Sequence, residues 1–102
     1  NISPSKIENL LCLNEKIKQS FVYGDKKTYL VALIVSESNE NIKEIEIFLE
    51  KINKTLSLVE KVKKFKLIEE EFTIDNGMLT PTLKLKRKKI LDKYKDDLEK
   101  LY

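Results

Sequence analysis

The run most able to do chemistry is Leu79-Thr80-Pro81-Thr82-Leu83-Lys84-Leu85-Lys86-Arg87-Lys88-Lys89, in which five of the six residues from Lys84 to Lys89 are basic. Pro81 stiffens a loop just before a helical pattern begins, and three readings of the cations compete. The first is a solvated opening turn of a helix, where cations oppose the macrodipole by roughly a few tenths of a kcal/mol. Something other than helix stability then placed them there. The second is a patch for nucleic acid or anionic lipid, since clustered Lys and Arg release counterions from phosphates. Asp92, Asp96 and Asp97 dilute such a field, no nucleic-acid-binding motif accompanies it, and nucleic acid is not expected as a partner. The third is a lysine that a loop presents to a phosphate or a developing oxyanion as a compact, mobile point charge.

Other candidates are weaker. Glu69-Glu70-Glu71 adjoins a turn with no His or second carboxylate cluster to work with, and reads as a solvated acidic edge. Cys12 follows Leu11 on an apolar helical face, where a thiol behaves as a small hydrophobe. The 102 residues contain no His and one Cys, which excludes His-based triads, His/Cys zinc sites and internal disulfides. Two glycines, Gly24 and Gly77, are too few for a P-loop or a dinucleotide-binding fingerprint. Charged residues make up 36%, and the net charge of +3 is too small to imply a polyanion partner by itself. No metal ligand set is expected in the chain.

The elements that must position the basic run follow from pattern. Ser3 can cap a helix with Pro4 at its first position and Glu8 in an early turn, and Ile7, Leu10, Leu11 and Asn14 continue at helical spacing. Ile17 to Tyr23 and Thr28 to Val35 read as a hairpin around Gly24-Asp25-Lys26-Lys27. The second strand is apolar at consecutive positions from Tyr29 to Val35, which predicts a central strand covered on both faces. Ile42, Ile45, Phe48, Leu49 and Ile52 define an amphipathic helix, with a shorter helical piece over Leu56 to Glu60. Val62, Phe65, Leu67 and Ile68 suggest a further strand, Asp75-Asn76-Gly77 a turn, and Ile90, Leu91, Tyr94, Leu98 and Leu101 a terminal helix from about Lys86. The expectation is one α+β domain over residues 1–102, a small sheet with a β-hairpin covered by helices. The longest apolar stretch falls far short of the ~20 residues a membrane span needs. The expected setting is cytoplasmic, at most peripheral to a membrane.

At this point a resemblance becomes specific. Thr80-x-Thr82-x-Lys84-x-x-Arg87, directly ahead of a terminal helix, resembles the last conserved motif of the adenylate-forming superfamily, usually Thr-x-Ser-Gly-Lys-x-x-Arg. Gly77 to Arg87 as a whole is similar to the long-chain fatty acid CoA ligase branch. So are Asn1-Ile2-Ser3-Pro4 with Ile7-Glu8, Tyr23-Gly24-Asp25 followed by Tyr29 to Val35, and Phe72 to Gly77. These stretches span nearly the whole chain in the family's order. Leu83 stands where most of the superfamily has Gly, which makes the loop less permissive but is similar to what the long-chain branch tends to show.

The resemblance implies a C-terminal lid domain excised from a larger two-domain enzyme, a reading that the capped helix opening without an initiating Met also favours. The large domain would bind ATP with Mg2+ and the fatty acid. The small domain would swing between one orientation that inserts Lys84 for formation of acyl-AMP and another that admits the thiol of coenzyme A. Lys84 is then the catalytic residue, with Thr80, Thr82 and Arg87 shaping and anchoring its loop and Lys86, Lys88 and Lys89 interdomain or solvated. The domain alone is expected to be inactive. Alternatives are a related adenylating enzyme such as an acyl-acyl-carrier-protein synthetase, or a free-standing basic module that binds polyanions.

Overall fold

Six consecutive apolar residues, Leu30-Val31-Ala32-Leu33-Ile34-Val35, are all buried, because a strand alternates its side chains between two faces and both faces here are covered. The structure, a computed structural model, describes residues 3–24 and 26–102. Asn1, Ile2 and Asp25, which belong to the expected helix entry and hairpin turn, lie outside the described residues.

The chain runs α1 (Pro4–Leu11), β1 (Gln19–Tyr23), β2 (Leu30–Val35), α2 (Ile42–Asn53), β3 (Val62–Ile68) and α3 (Arg87–Glu99), with short 3-10 turns at Asn39–Asn41 and Leu58–Glu60. The sheet order is β1-β2-β3. β1 pairs antiparallel with β2, Phe21 opposite Leu33, whereas β3 runs parallel to β2, Lys66 opposite Leu33, after the crossover through α2. The fold is the expected α+β arrangement with β2 at its centre.

Alternate residues of β2 build two cores. Val31, Leu33 and Val35 join Phe21, Ile68, Phe72, Ile90, Tyr94 and Leu98 beneath α3. Leu30, Ala32 and Ile34 join Ile7, Leu11, Val22, Ile45, Leu49 and Val62 beneath α1 and α2. Each fully buried Leu or Ile contributes roughly 1.5–3 kcal/mol relative to exposure.

Several boundaries differ from the sequence pattern. α1 stops at Leu11 because the Leu13 and Asn14 amides turn back only three residues, to the Leu10 and Leu11 carbonyls, so Asn14 is a turn residue whose side chain accepts from the Lys16 amide. β1 begins at Gln19 rather than Ile17, and β2 at Leu30 rather than Thr28. The helical piece over Leu56 to Glu60 shrinks to the 3-10 turn, where the Glu60 carboxylate accepts from the Ser57 amide and hydroxyl. Ser3 caps α1 as expected, accepting from the Lys6 amide.

Candidate active-site loop

The loop that carries Lys84 stands on a fixed base. Gln19 of β1 donates to the Phe72 carbonyl at 2.9 Å and accepts from the Phe72 amide at 2.7 Å, while the Phe72 ring is buried. Thr73 and Asn76 then exchange side-chain and backbone hydrogen bonds, and the Asn76 carboxamide also accepts from the Met78 amide. Gly77 closes this turn at φ +79°, a left-handed conformation that suits glycine.

From that base the chain makes a narrow excursion. Leu79 pairs with Leu85 in an antiparallel bridge, the Lys86 amide donates to the Met78 carbonyl, and the Thr80 amide donates to the Lys84 carbonyl at 2.8 Å. The Leu83 amide returns to the Thr80 carbonyl at 2.8 Å. Thr80 is the hub: its hydroxyl accepts from the Lys84 amide at 3.0 Å and shares a hydrogen bond with the Thr82 hydroxyl at 3.0 Å. Leu83, just before the lysine, has φ +66°, a conformation unusual for a branched side chain.

Lys84 itself is exposed, and its ammonium makes no ion pair with any described residue. It lines a groove of about 520 Å³ with Glu8, Cys12, Lys18, Gln19 and Arg87. The two other cations that line this groove are committed elsewhere. Lys18 pairs with Glu37 at 3.2 Å. Arg87 grips Glu8 with two prongs, at 2.9 and 2.6 Å, adds a hydrogen bond to Ser5, and lies over the Phe21 ring at 5.7 Å. Hydrogen bonding to Glu8 raises the Arg87 pKa above its ordinary value, against the opposing effect of desolvation. The loop thus separates an anchored guanidinium from a free ammonium three residues away.

Thr80, Thr82 and Lys84 are therefore brought together, while Arg87 reaches inward to α1 and away from the loop tip. Glu8 is the residue that the pattern misses. It reads as part of a helix opening, yet it is buried, and besides holding Arg87 it accepts from the Val22 amide of β1 at 2.8 Å. Two signals could have found it. Glu8 shares the face of buried Ile7 and Leu11, where a carboxylate needs a partner, and Arg87 is the one arginine in a lysine-rich chain, the residue suited to gripping a carboxylate with a planar fork.

Two other expectations change. Cys12 is exposed, because α1 ends before it can turn inward, and its sulfur lies 3.6 Å from the Ser20 hydroxyl. Glu70 is more than solvated edge: it pairs with Lys93 and accepts from the Tyr94 hydroxyl, which together lower its pKa. A second groove, of about 670 Å³, includes Tyr23, Gly24, Lys26 and Lys88, and Arg87 lines it too. Among the described residues no cluster of His, Cys, Asp and Glu could hold a metal ion, and no helix is long and apolar enough to cross a membrane.

Known proteins are similar to this chain from end to end. Two curated relatives are a long-chain-fatty-acid–CoA ligase of Mycobacterium tuberculosis, 29% identical over all of this chain and 21% of its own length, and long-chain-fatty-acid–CoA ligase 5 of Mus musculus, 31% identical over 99% of this chain and 18% of its own. A chloroplastic long-chain-fatty-acid–acyl-carrier-protein ligase of Arabidopsis thaliana is 29% identical over the whole chain and 15% of its own length. The chain thus spans about a fifth or less of these relatives. Among solved structures, the adenylation domain of a carboxylate reductase from Mycobacterium chelonae superposes with a TM-score of 0.85 at 28% identity, over 99% of this chain and 18% of that one. Residues 1–102 match the family described as AMP-binding enzyme C-terminal domain, and the chain belongs to that family.

Proposed function

We propose that this chain is the C-terminal mobile domain of an AMP-forming long-chain fatty acid CoA ligase, and that Lys84 is its catalytic residue for adenylation. The observation that carries the reading is the exposed, unpaired Lys84 ammonium on a loop whose backbone is pinned by the Thr80 and Lys84 hydrogen bonds and by the Leu83 amide on the Thr80 carbonyl. In the first half-reaction a fatty acid carboxylate oxygen attacks the α-phosphorus of ATP and pyrophosphate leaves. Two anions approach and charge builds on the phosphoryl oxygens, so a positioned ammonium lowers both the encounter penalty and the barrier. In the second, the thiol of coenzyme A attacks the acyl carbon, loses its proton, and AMP leaves. The lysine has no role there, and the domain turns away to admit the thiol.

Thr80 and Thr82 hold the loop in shape and Arg87 anchors the helix behind it. ATP with its Mg2+ and the acyl chain belong to the larger domain that the relatives carry beyond this segment, so the domain alone does not turn over. The Arabidopsis relative, as similar as the CoA ligases, keeps a carrier-protein acceptor as a second reading.

Product analysis of the enzyme bearing this domain tests both. Fatty acid, ATP and coenzyme A should yield AMP, pyrophosphate and acyl-CoA. Acyl transfer to a carrier protein in preference to coenzyme A selects the second reading, and ADP as the nucleotide product contradicts both.

A further inference from the structure

Leu83 combines two costs that a glycine would avoid. Its backbone sits at φ +66°, held there by the Leu83 amide bond to the Thr80 carbonyl and by the Thr80–Lys84 pairing that flanks it. Its side chain is 67% exposed, beside the Lys84 ammonium, which makes no ion pair among the described residues. A strained backbone persists only when its surroundings hold it, and it clusters where the geometry serves a function. An exposed branched aliphatic side chain gains nothing from water.

We propose that Leu83 is a positioning residue whose side chain is buried against the adenylate-binding domain of the same enzyme when Lys84 is delivered to the reacting phosphate. Two observations identify the occupant. Leu83 and Lys84 share one groove rim, so whatever receives the ammonium also meets Leu83. The chain covers only 15% to 21% of the relatives it matches, which leaves a large part of each to provide that surface. In the opposite orientation the leucine returns to water. Its burial therefore favours the adenylating orientation alone, and it does so through the placement of Lys84 without touching substrate. This inference rests on the proposed role of Lys84.

The test uses the full enzyme and measures the two half-reactions separately for Leu83→Gly, Leu83→Asn, Leu83→Met and Lys84→Ala. Gly and Asn accept the left-handed backbone but remove the apolar contact. Both should slow acyl-AMP formation about tenfold, the rate equivalent of losing part of a leucine's burial. Thioester formation from supplied acyl-AMP should be unaffected, and the thermal midpoint should not fall. Leu83→Met, close in volume and apolarity, should restore adenylation to within about twofold. Unchanged or faster adenylation in Leu83→Gly, equal slowing of both half-reactions, or no rescue by Met overturns the inference. The Lys84→Ala control separates the two levels. If it is selective for adenylation and Leu83→Gly is not, only the role of Leu83 fails. If Lys84→Ala is not selective, the proposed function fails and this inference with it.

Discussion

Glu8 and Arg87, 79 positions apart, meet in a two-pronged ion pair that ties the first helix to the first residue of the last. The same carboxylate accepts the Val22 amide, so one side chain joins α1, β1 and α3. α3 has no acidic residue in its opening turn and no side-chain cap. Glu8 supplies the missing carboxylate from across the domain, which is how an opening turn of Arg87, Lys88 and Lys89 is tolerated.

Glu8→Ala should therefore destabilise the domain by about 2–3 kcal/mol, less than a fully buried pair costs, because Arg87 keeps 40% of its side chain in water. Glu8→Gln, which still offers an acceptor to Val22, should cost roughly half as much. Urea unfolding of the chain checks both, and equal stability of Glu8→Ala and the parent contradicts the assignment.

Thr80→Val keeps the shape of the side chain but removes the acceptor for the Lys84 amide and the partner of Thr82. The loop is exposed, so the loss of stability should stay within about 1 kcal/mol. Adenylation by the full enzyme should nonetheless drop several-fold, since a small misplacement of a catalytic charge is costly. A large stability loss with intact adenylation is the contrary result.

Gly24→Ala should cost about 1–3 kcal/mol through overpacking. An added Cβ would sit 2.4 Å from the Leu30 side chain and 3.1 Å from the Tyr29 carbonyl, and Leu30 is buried in the core beneath α1 and α2. Close approach, and no left-handed backbone, is what requires glycine here. Calorimetry that shows no fall in the thermal midpoint contradicts this packing.

Alkaline pH should destabilise the fold. Burial, assisted by Glu70, pushes the Tyr94 hydroxyl up to about 12, and burial near Tyr23 and Glu99 does the same for Tyr102, which donates to the Tyr29 carbonyl at 2.8 Å. A raised folded pKa means that the unfolded chain loses these protons first, so the stabilisation is complete below pH 10 and is lost as pH rises towards 12. The Glu99 hydrogen bond raises Lys27 and acts in the same direction. Denaturant midpoints across that window should fall, and should fall less in Tyr94→Phe.

The elements and the chemical loop were largely readable because their signals are local. The continuous apolar run of β2, the 3.6-residue spacing of Ile45 and Leu49, and the Asn76-Gly77 turn each declare themselves within a few positions. Thr80, Thr82 and Lys84 are bound to one another within five residues of chain, so their spacing already encodes their geometry. The long-range ties were not readable in this way. The pairing of Glu8 with Arg87, the clasp of Gln19 on Phe72 and the parallel register of β3 depend on how distant segments dock. Cys12 misled for a related reason: a helical pattern does not say at which residue the helix stops.

The most direct test of the central claim is the rate of each half-reaction in the Lys84→Ala variant of the full enzyme. Loss of one preorganised charge predicts a fall in acyl-AMP formation of about 10²- to 10³-fold, with thioester formation from supplied acyl-AMP largely retained. Equal loss in both half-reactions, or none in the first, contradicts the account.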